Sequence, residues 1–569
     1  MAAKRMNFPR LLRPSGDEVT LLWSGLGDSR RLKIPARQTG YKTSVSSIDP
    51  ACPAAESLSQ HFPNPQSCLS RFIMKISVAF VVMVAVGASA TQGRRCCNDL
   101  AAQDSLRNKV FMPGSTVYDA QLKSYYSANA AQHAWCMVLP ESTADVQAIA
   151  RTINRRQCPF GIRAGGHSTW KGSNGVKNGV TVDLSHMNTT TYDEEKGIAS
   201  TQPGARWGTV YEALNPHNVS VVGARTSVVG VGGFTTGAGY SFHSNAHGFS
   251  CDNVANWEIV LANGTVVNAN AKEHADLWKA QKGGSGNLGF VTRIDHIAIS
   301  GNQLWGGFTQ YNLDKRDAVF DAYLNFVDKT EDSSPDQTIL ALLWDNKNGF
   351  TLRSILTNAN GQANRPAFKE YMSIPNIGST VTSGPKKDII PQFTGPTPLG
   401  QYANWFTATA KHSFKSLAAI DELHHALVPK LQAAAPNATF STLISLQPLT
   451  PAMVRHAATR GGNVLGLEAV VADGPKLNWL FSITVDTEAH QRALLPIARS
   501  FVYTVNKKQR DMGTYEPWIY LNYAWRDEQP FPHYGAENTA LLAAVSAAYD
   551  PAGVFQKLRK TGFKLHPHH

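Results

Sequence analysis

Apolar residues recur along this chain with two different periods. From Ser142 or Thr143 onward, Val146, Ile149, Ala150 and Ile153 fall on one face at helical spacing, so a helix is predicted to start there. Short apolar runs at Trp135–Leu139, 160–163 and Gly179–Leu184 predict strands around it. Residues 205–216 have a helical pattern, and 256–268 alternate about an Asn263-Gly264 pair, which predicts a hairpin. A helix around Asp276–Lys282 and a strand around Phe290–Ile299 follow. Beyond about Leu304 helices interleave with longer alternating strands, including a helix from Lys315 to Val327 and a hairpin turned at Asn348-Gly349. Pro and Gly cluster between 375 and 400, which predicts loops. The pattern implies an α+β fold with helices covering a mixed sheet, and 569 residues imply two or three domains.

Three glycine-rich stretches interrupt these elements. The first, PFGIRAGGHSTWKGSNG at 159–175, runs from a short strand through Gly165 and Gly166 into His167. Paired glycines after a strand permit a tight turn and close approach of backbone to a ligand, and their N–H groups can cradle an anion. The second runs from Arg225 to Ser241 and the third from Lys282 to Arg293. Three such turns imply one large ligand. None is a dinucleotide fingerprint of the Rossmann type, because Thr235 stands where the third glycine after Gly230 and Gly232 belongs, and no Walker loop occurs.

These motifs in this order resemble the vanillyl-alcohol-oxidase and p-cresol-methylhydroxylase (PCMH-type) class of flavoproteins, most closely the berberine-bridge-enzyme-like branch in its secreted fungal form. The similarity runs from about Cys96 to Leu565. It implies a two-part FAD-binding domain at 91–303, a substrate domain at 304–512 with an antiparallel sheet roofing the flavin, and a carboxyl-terminal segment at 513–569 that returns to the flavin domain. It also implies that His167 carries FAD covalently at the 8α-methyl group. Further cofactor contacts are implied for Arg163, Gly165, Gly166, Ser168, Ser227, Val228, Gly230, Gly232, Gly233, Gly237, Val291 and Tyr523. Relatives with a second covalent bond use a cysteine ahead of V-G-V-G-G. Here Thr226, Ser227 and Val228 occupy that place, so a single attachment is expected.

A flavin dehydrogenation needs a base for the departing proton. Tyr520 and Asn522, in Tyr-Leu-Asn-Tyr, match a family motif that implies a catalytic role, and Tyr520 would need a cation or donors to stabilise its phenolate. Val229 is implied near the path of oxygen. The expected activity is an FAD-linked oxidase acting on a small organic substrate, of the secondary-metabolite class that the resemblance points to, with O2 as electron acceptor. The alternatives are a carbohydrate oxidase, a flavin-dependent oxidative cyclase, and a secreted carrier using the fold only for binding.

Charge and cysteines refine this picture. Of the formal charge of +12, half lies in the first ninety residues, and the rest is spread without basic clusters, so no nucleic-acid partner is expected. Residues 74–93 read MKISVAFVVMVAVGASATQG, a secretory signal in every part except position, with an apolar run too short to span a bilayer. The expectation is therefore a signal peptide at 74–90, translation starting at Met74, and residues 1–73 as a non-native extension; the alternative is a cytosolic tail on an N-terminal anchor. Secretion, with no membrane partner, agrees with glycan triplets headed by Asn188, Asn218, Asn263 and Asn437. Five cysteines follow the signal, and Cys136 with Cys96 or Cys97 is the favoured disulfide, the odd count leaving a thiol unmatched. His243, His247 and Cys251 are four apart, but Gly248 breaks any helix that would bring them together, and no metal is expected. HExxH and GxSxG signatures are absent. Oligomeric state is not legible in the sequence.

Overall fold

The computed structural model describes residues 18–25, 28–35 and 91–565, apart from 332–333 and 396–397. The signal segment 74–90 and most of 1–73 lie outside the described residues. Within the latter, Glu18–Gly25 and Asp28–Pro35 pair as an antiparallel hairpin. All else described here belongs to a separate compact unit.

The described part of that unit opens with a helix over 91–101 and a four-stranded sheet ordered Val110–Phe111, Cys136–Val138, Val180–Asp183, Phe160–Arg163. The last three strands run parallel, and Thr143–Arg156 supplies a helical crossover. This helix starts where the sequence requires. Ser142 Oγ accepts the Asp145 N–H at 3.2 Å while the Asp145 carboxylate accepts the Ser142 N–H, and Gln157 in the left-handed region stops it. Its apolar face, including Val146, Ile149 and Ile153, packs with two disulfides, Cys97–Cys136 and Cys96–Cys158. The first is the favoured pairing. The second was not anticipated, and Cys251 remains a buried free thiol.

A second, antiparallel sheet has the order Val266–Asn270, Val254–Val260, Phe290–Ile297, Ile198–Thr201, Thr190–Asp193. It contains the expected hairpin, with Gly264 at φ +84° in the turn. Together the two small sheets form the amino-terminal half. The remainder is built on one nine-stranded antiparallel sheet whose long members are Gln303–Tyr311, Asp336–Asp345, Gly349–Asn358, Tyr402–Lys411, Phe440–Leu449 and Lys476–Val485. Helices Phe414–Ala434 and Glu488–Asp511 pack together along it.

One expectation needs correction. The 375–400 region is not all loop, because Lys386–Thr394 is a helix despite Pro391 inside it. Burial of Ile389, Ile390 and the Lys386 stem outweighs the Pro and Gly signals that bracket it. The carboxyl-terminal aromatic run contributes one short strand, Tyr515–Glu516. After pairing there with Tyr402–Lys411, the chain crosses as turns to the amino-terminal half, and Lys560 N–H reaches the Phe160 carbonyl at 2.7 Å. This return places the Tyr-Leu-Asn-Tyr motif beside the second glycine stretch. Among the described residues no helix is long and apolar enough to cross a membrane.

Candidate active site

The first and second glycine stretches meet backbone to backbone. A Cβ built on Gly165 would lie 2.4 Å from Gly230 Cα, and one on Gly230 the same distance from Gly165 Cα, so no side chain fits at the crossing. Gly166 has φ +64°, and a Cβ there would strike Arg163 Nε at 2.7 Å. Arg206 fixes the far side of the crossing by donating from Nη1 to the Val228 carbonyl at 2.5 Å. The amides of Gly165, Gly166 and His167 find no acceptor among the described residues. They are free to receive a ligand's oxygens.

His167 follows this turn and faces a cavity of about 420 Å³. Its ring stacks on Tyr126 at 3.9 Å and 23°, with Trp405 at 5.4 Å. Burial, helped by the Arg206 charge, pulls its pKa down to about 3. The imidazole is therefore neutral at physiological pH and carries an unprotonated ring nitrogen.

The returning carboxyl-terminal segment supplies the opposite wall. Tyr520 Oη accepts the Tyr240 N–H at 2.9 Å and an Asn522 Nδ2 hydrogen at 3.1 Å, while Asn522 also donates to the Phe234 carbonyl at 3.0 Å. Burial, with the neighbouring Tyr523 adding to it, raises the Tyr520 pKa well above the ordinary phenol value. Tyr523 stands differently. Arg225 Nη2 donates to its hydroxyl at 2.7 Å, and Gln447 lies within hydrogen-bonding distance on the other side, with Nε2 at 3.1 Å. Its ring meets Tyr520 edge-on at 4.8 Å and Trp405 at 5.8 Å.

Of the residues expected at the site, Gly165, Gly166, His167, Ser168, Val228, Gly230, Gly232, Gly233, Val291, Tyr520, Asn522 and Tyr523 line this one cavity, as does Val229. Three others are placed elsewhere. Arg163 is spent on a buried ion pair with Asp183 at 2.8 Å and on Gln121 and Ser124, with its guanidinium 4.0 Å over the Tyr125 ring. Ser227 turns to Thr394, its N–H and Oγ both meeting that hydroxyl. Gly237 makes room for Asn522, since a Cβ there would lie 2.0 Å from Oδ1. The first two turn away because a nearby polar partner claims each side chain, and glycine offers none to turn.

Tyr126, Arg225, Trp405 and Gln447 were not anticipated. Arg225 opens the second glycine stretch, and a charged residue entering a glycine loop was a readable signal. Tyr126 precedes His167 by some forty positions, Trp405 and Gln447 belong to strands of the large sheet, and none of the three carries a local pattern.

The cavity suits an FAD. Unbonded amides at 165–167 and a crossing without side chains fit a diphosphate, and the apolar walls of Ile162, Leu184, Pro203 and Val291 fit flat rings. His167 adds a neutral nitrogen. A sequence family described as an FAD binding domain matches residues 134–270. An FAD-dependent monooxygenase of Emericella nidulans is 36% identical over 481 residues, 84% of this chain and 99% of the relative. Among solved structures, 6-hydroxy-D-nicotine oxidase from Arthrobacter nicotinovorans superposes with a TM-score of 0.67 at 16% identity, covering 82% of this chain and all of that one. The glucooligosaccharide oxidase of Acremonium strictum, described with a 6-S-cysteinyl, 8α-N1-histidyl FAD, gives 0.64 at 19%, covering 83% and 100%.

Proposed function

This chain belongs to the berberine-bridge-enzyme-like family of FAD-dependent oxidoreductases, and we propose that it is a secreted oxidase that removes a hydride and a proton from a small organic substrate, with O2 as the final electron acceptor. The observation that carries this reading is the convergence of a neutral His167, free backbone amides and Tyr523 on one aromatic cavity. Bound FAD would supply the hydride acceptor.

The chain's own residues divide the remaining work. A ring nitrogen of His167 would hold the cofactor at its 8α-methyl carbon, and the stacked Tyr126 ring fixes the imidazole's orientation. No thiol lies at 226–228, so the attachment would be single. Trp405, Leu443 and Leu480 descend from the large sheet and exclude water from the reacting carbon. Tyr523, which lines the cavity with Arg225 donating to its hydroxyl, is better placed to accept the proton than Tyr520, whose oxygen already accepts the Tyr240 amide and an Asn522 hydrogen. Tyr520 and Asn522 hold the turn by bonding the Tyr240 amide and Phe234 carbonyl.

Two disulfides support an oxidising compartment, and the four glycan-triplet asparagines all stand exposed. The relative's name as a monooxygenase points to a second outcome, insertion of an oxygen atom. Turnover under ¹⁸O₂ with peroxide measured in parallel separates the two. One peroxide per product and a product two hydrogens lighter support the oxidase. A product that gains labelled oxygen without peroxide overturns it.

A further inference from the structure

The cavity that holds the proposed reaction is charged in one direction. No Asp or Glu lines it, and its substrate end is walled by Tyr126, Phe393, Trp405, Leu443 and Leu480. Into this apolar chamber projects Arg225. No carboxylate pairs with it among the described residues; its contacts are the Tyr523 hydroxyl at 2.7 Å and the face of the Tyr240 ring at 4.3 Å, and Nη1 is buried with no hydrogen-bond partner. A guanidinium carries five donors in a plane, and holding one in an apolar wall with a single oxygen acceptor is costly. A sugar-binding wall would instead meet several hydroxyls with several matched acceptors and donors. The polar atoms there are the Arg225 guanidinium, the Thr394, Tyr523 and Tyr126 hydroxyls and the Trp405 indole N–H, a set with one cation and no carboxylate.

We infer that the substrate is a flat, largely apolar molecule bearing an anionic oxygen, a carboxylate or an acidic phenol or enol, and that Arg225 receives that oxygen. This rests on the oxidase reading of the same cavity. The aromatic walls hold the body, the guanidinium holds the oxygen by a charge-assisted hydrogen bond, and the pair fixes the end of the substrate against Tyr523. Lysine would keep the charge but lose the planar fork.

The test uses the purified flavoprotein and follows the flavin absorption band during titration with benzoate, with benzamide as a neutral body of the same shape, and with cellobiose. The expected result is benzoate binding at least about tenfold more tightly than benzamide. Arg225→Gln erases that preference and Arg225→Lys keeps part of it. Equal binding of benzoate and benzamide by the wild type, or an unaltered preference in Arg225→Gln, overturns the inference while leaving the oxidase reading intact, and the wild-type comparison stands even where a variant fails to fold. Reduction of the flavin by cellobiose overturns it as well. A preparation with no flavin band sinks the oxidase reading and this inference together.

Discussion

Replacing Arg163 with methionine separates a scaffold role from a cofactor role. The sequence motif implies contact with FAD, whereas the structure buries this guanidinium at 1% exposure against Asp183 at 0%. Removing one partner of a buried ion pair strands the other, at a cost of about 3–5 kcal/mol. Here Asp183 would keep only the Ser185 N–H, and the Gln121 and Ser124 oxygens would lose their donor too. Arg163→Met should therefore lower unfolding stability by an amount in that range, read by denaturant titration of tryptophan fluorescence. Adding Asp183→Asn removes the stranded charge, so the double variant should recover about 1–2 kcal/mol over Arg163→Met alone. Folded Arg163→Met should still carry flavin. Stability within about 1 kcal/mol of wild type, together with loss of flavin, would refute the reasoning and return Arg163 to the cofactor.

Tyr523→Phe should lower the rate of flavin reduction by about 10²–10⁴-fold, as expected for loss of a general base, and Tyr520→Phe should lower it far less; stopped-flow reduction decides, and the reverse order would restore Tyr520 as the base. Gly165→Ala should abolish or strongly destabilise folding because its Cβ would strike Gly230, while Gly233→Ala, with no protein atom within 4 Å of the new one, should fold as wild type; equal effects in denaturant titration would contradict the crossing geometry. Glu528 is buried beneath the Thr407 and Trp525 amides, and burial lifts its pKa to about 8 from 4.5. Between those values the folded state binds the extra proton, so stability falls as pH rises from about 4.5 to 8. Glu528→Gln should flatten that slope in urea midpoints measured across the range, and an unchanged slope would exclude Glu528 as its source.

The parts of this fold that were legible in the sequence are those with local causes. Ser142 and Asp145 cap a helix whose apolar face has a 3.6-residue period, and Asn263-Gly264 turns a hairpin because glycine takes φ +84° there without strain. The glycine stretches and His167 were legible for the same reason, since close backbone approach leaves glycine in the sequence. The substrate end was not. Trp405, Leu443, Gln447 and Leu480 share a face of the large sheet with Ser445, Asn478 and Ser482, so alternation marks that face as the more polar one and does not say that it roofs a ligand. The helix at Lys386–Thr394 was hidden by prolines, and it carries Phe393 and Thr394 to the cavity. Arg225 was in plain view, yet its meaning depends on Tyr523, 298 residues away, reaching it.

The central claim is that His167 carries the flavin by one bond, and the most direct measurement is ultraviolet fluorescence of acid-denatured wild-type protein and His167→Ala on a denaturing gel. Yellow fluorescence that migrates with the wild-type band and is absent from the variant is the predicted result. A dark wild-type band, or fluorescence that persists in His167→Ala, would contradict it.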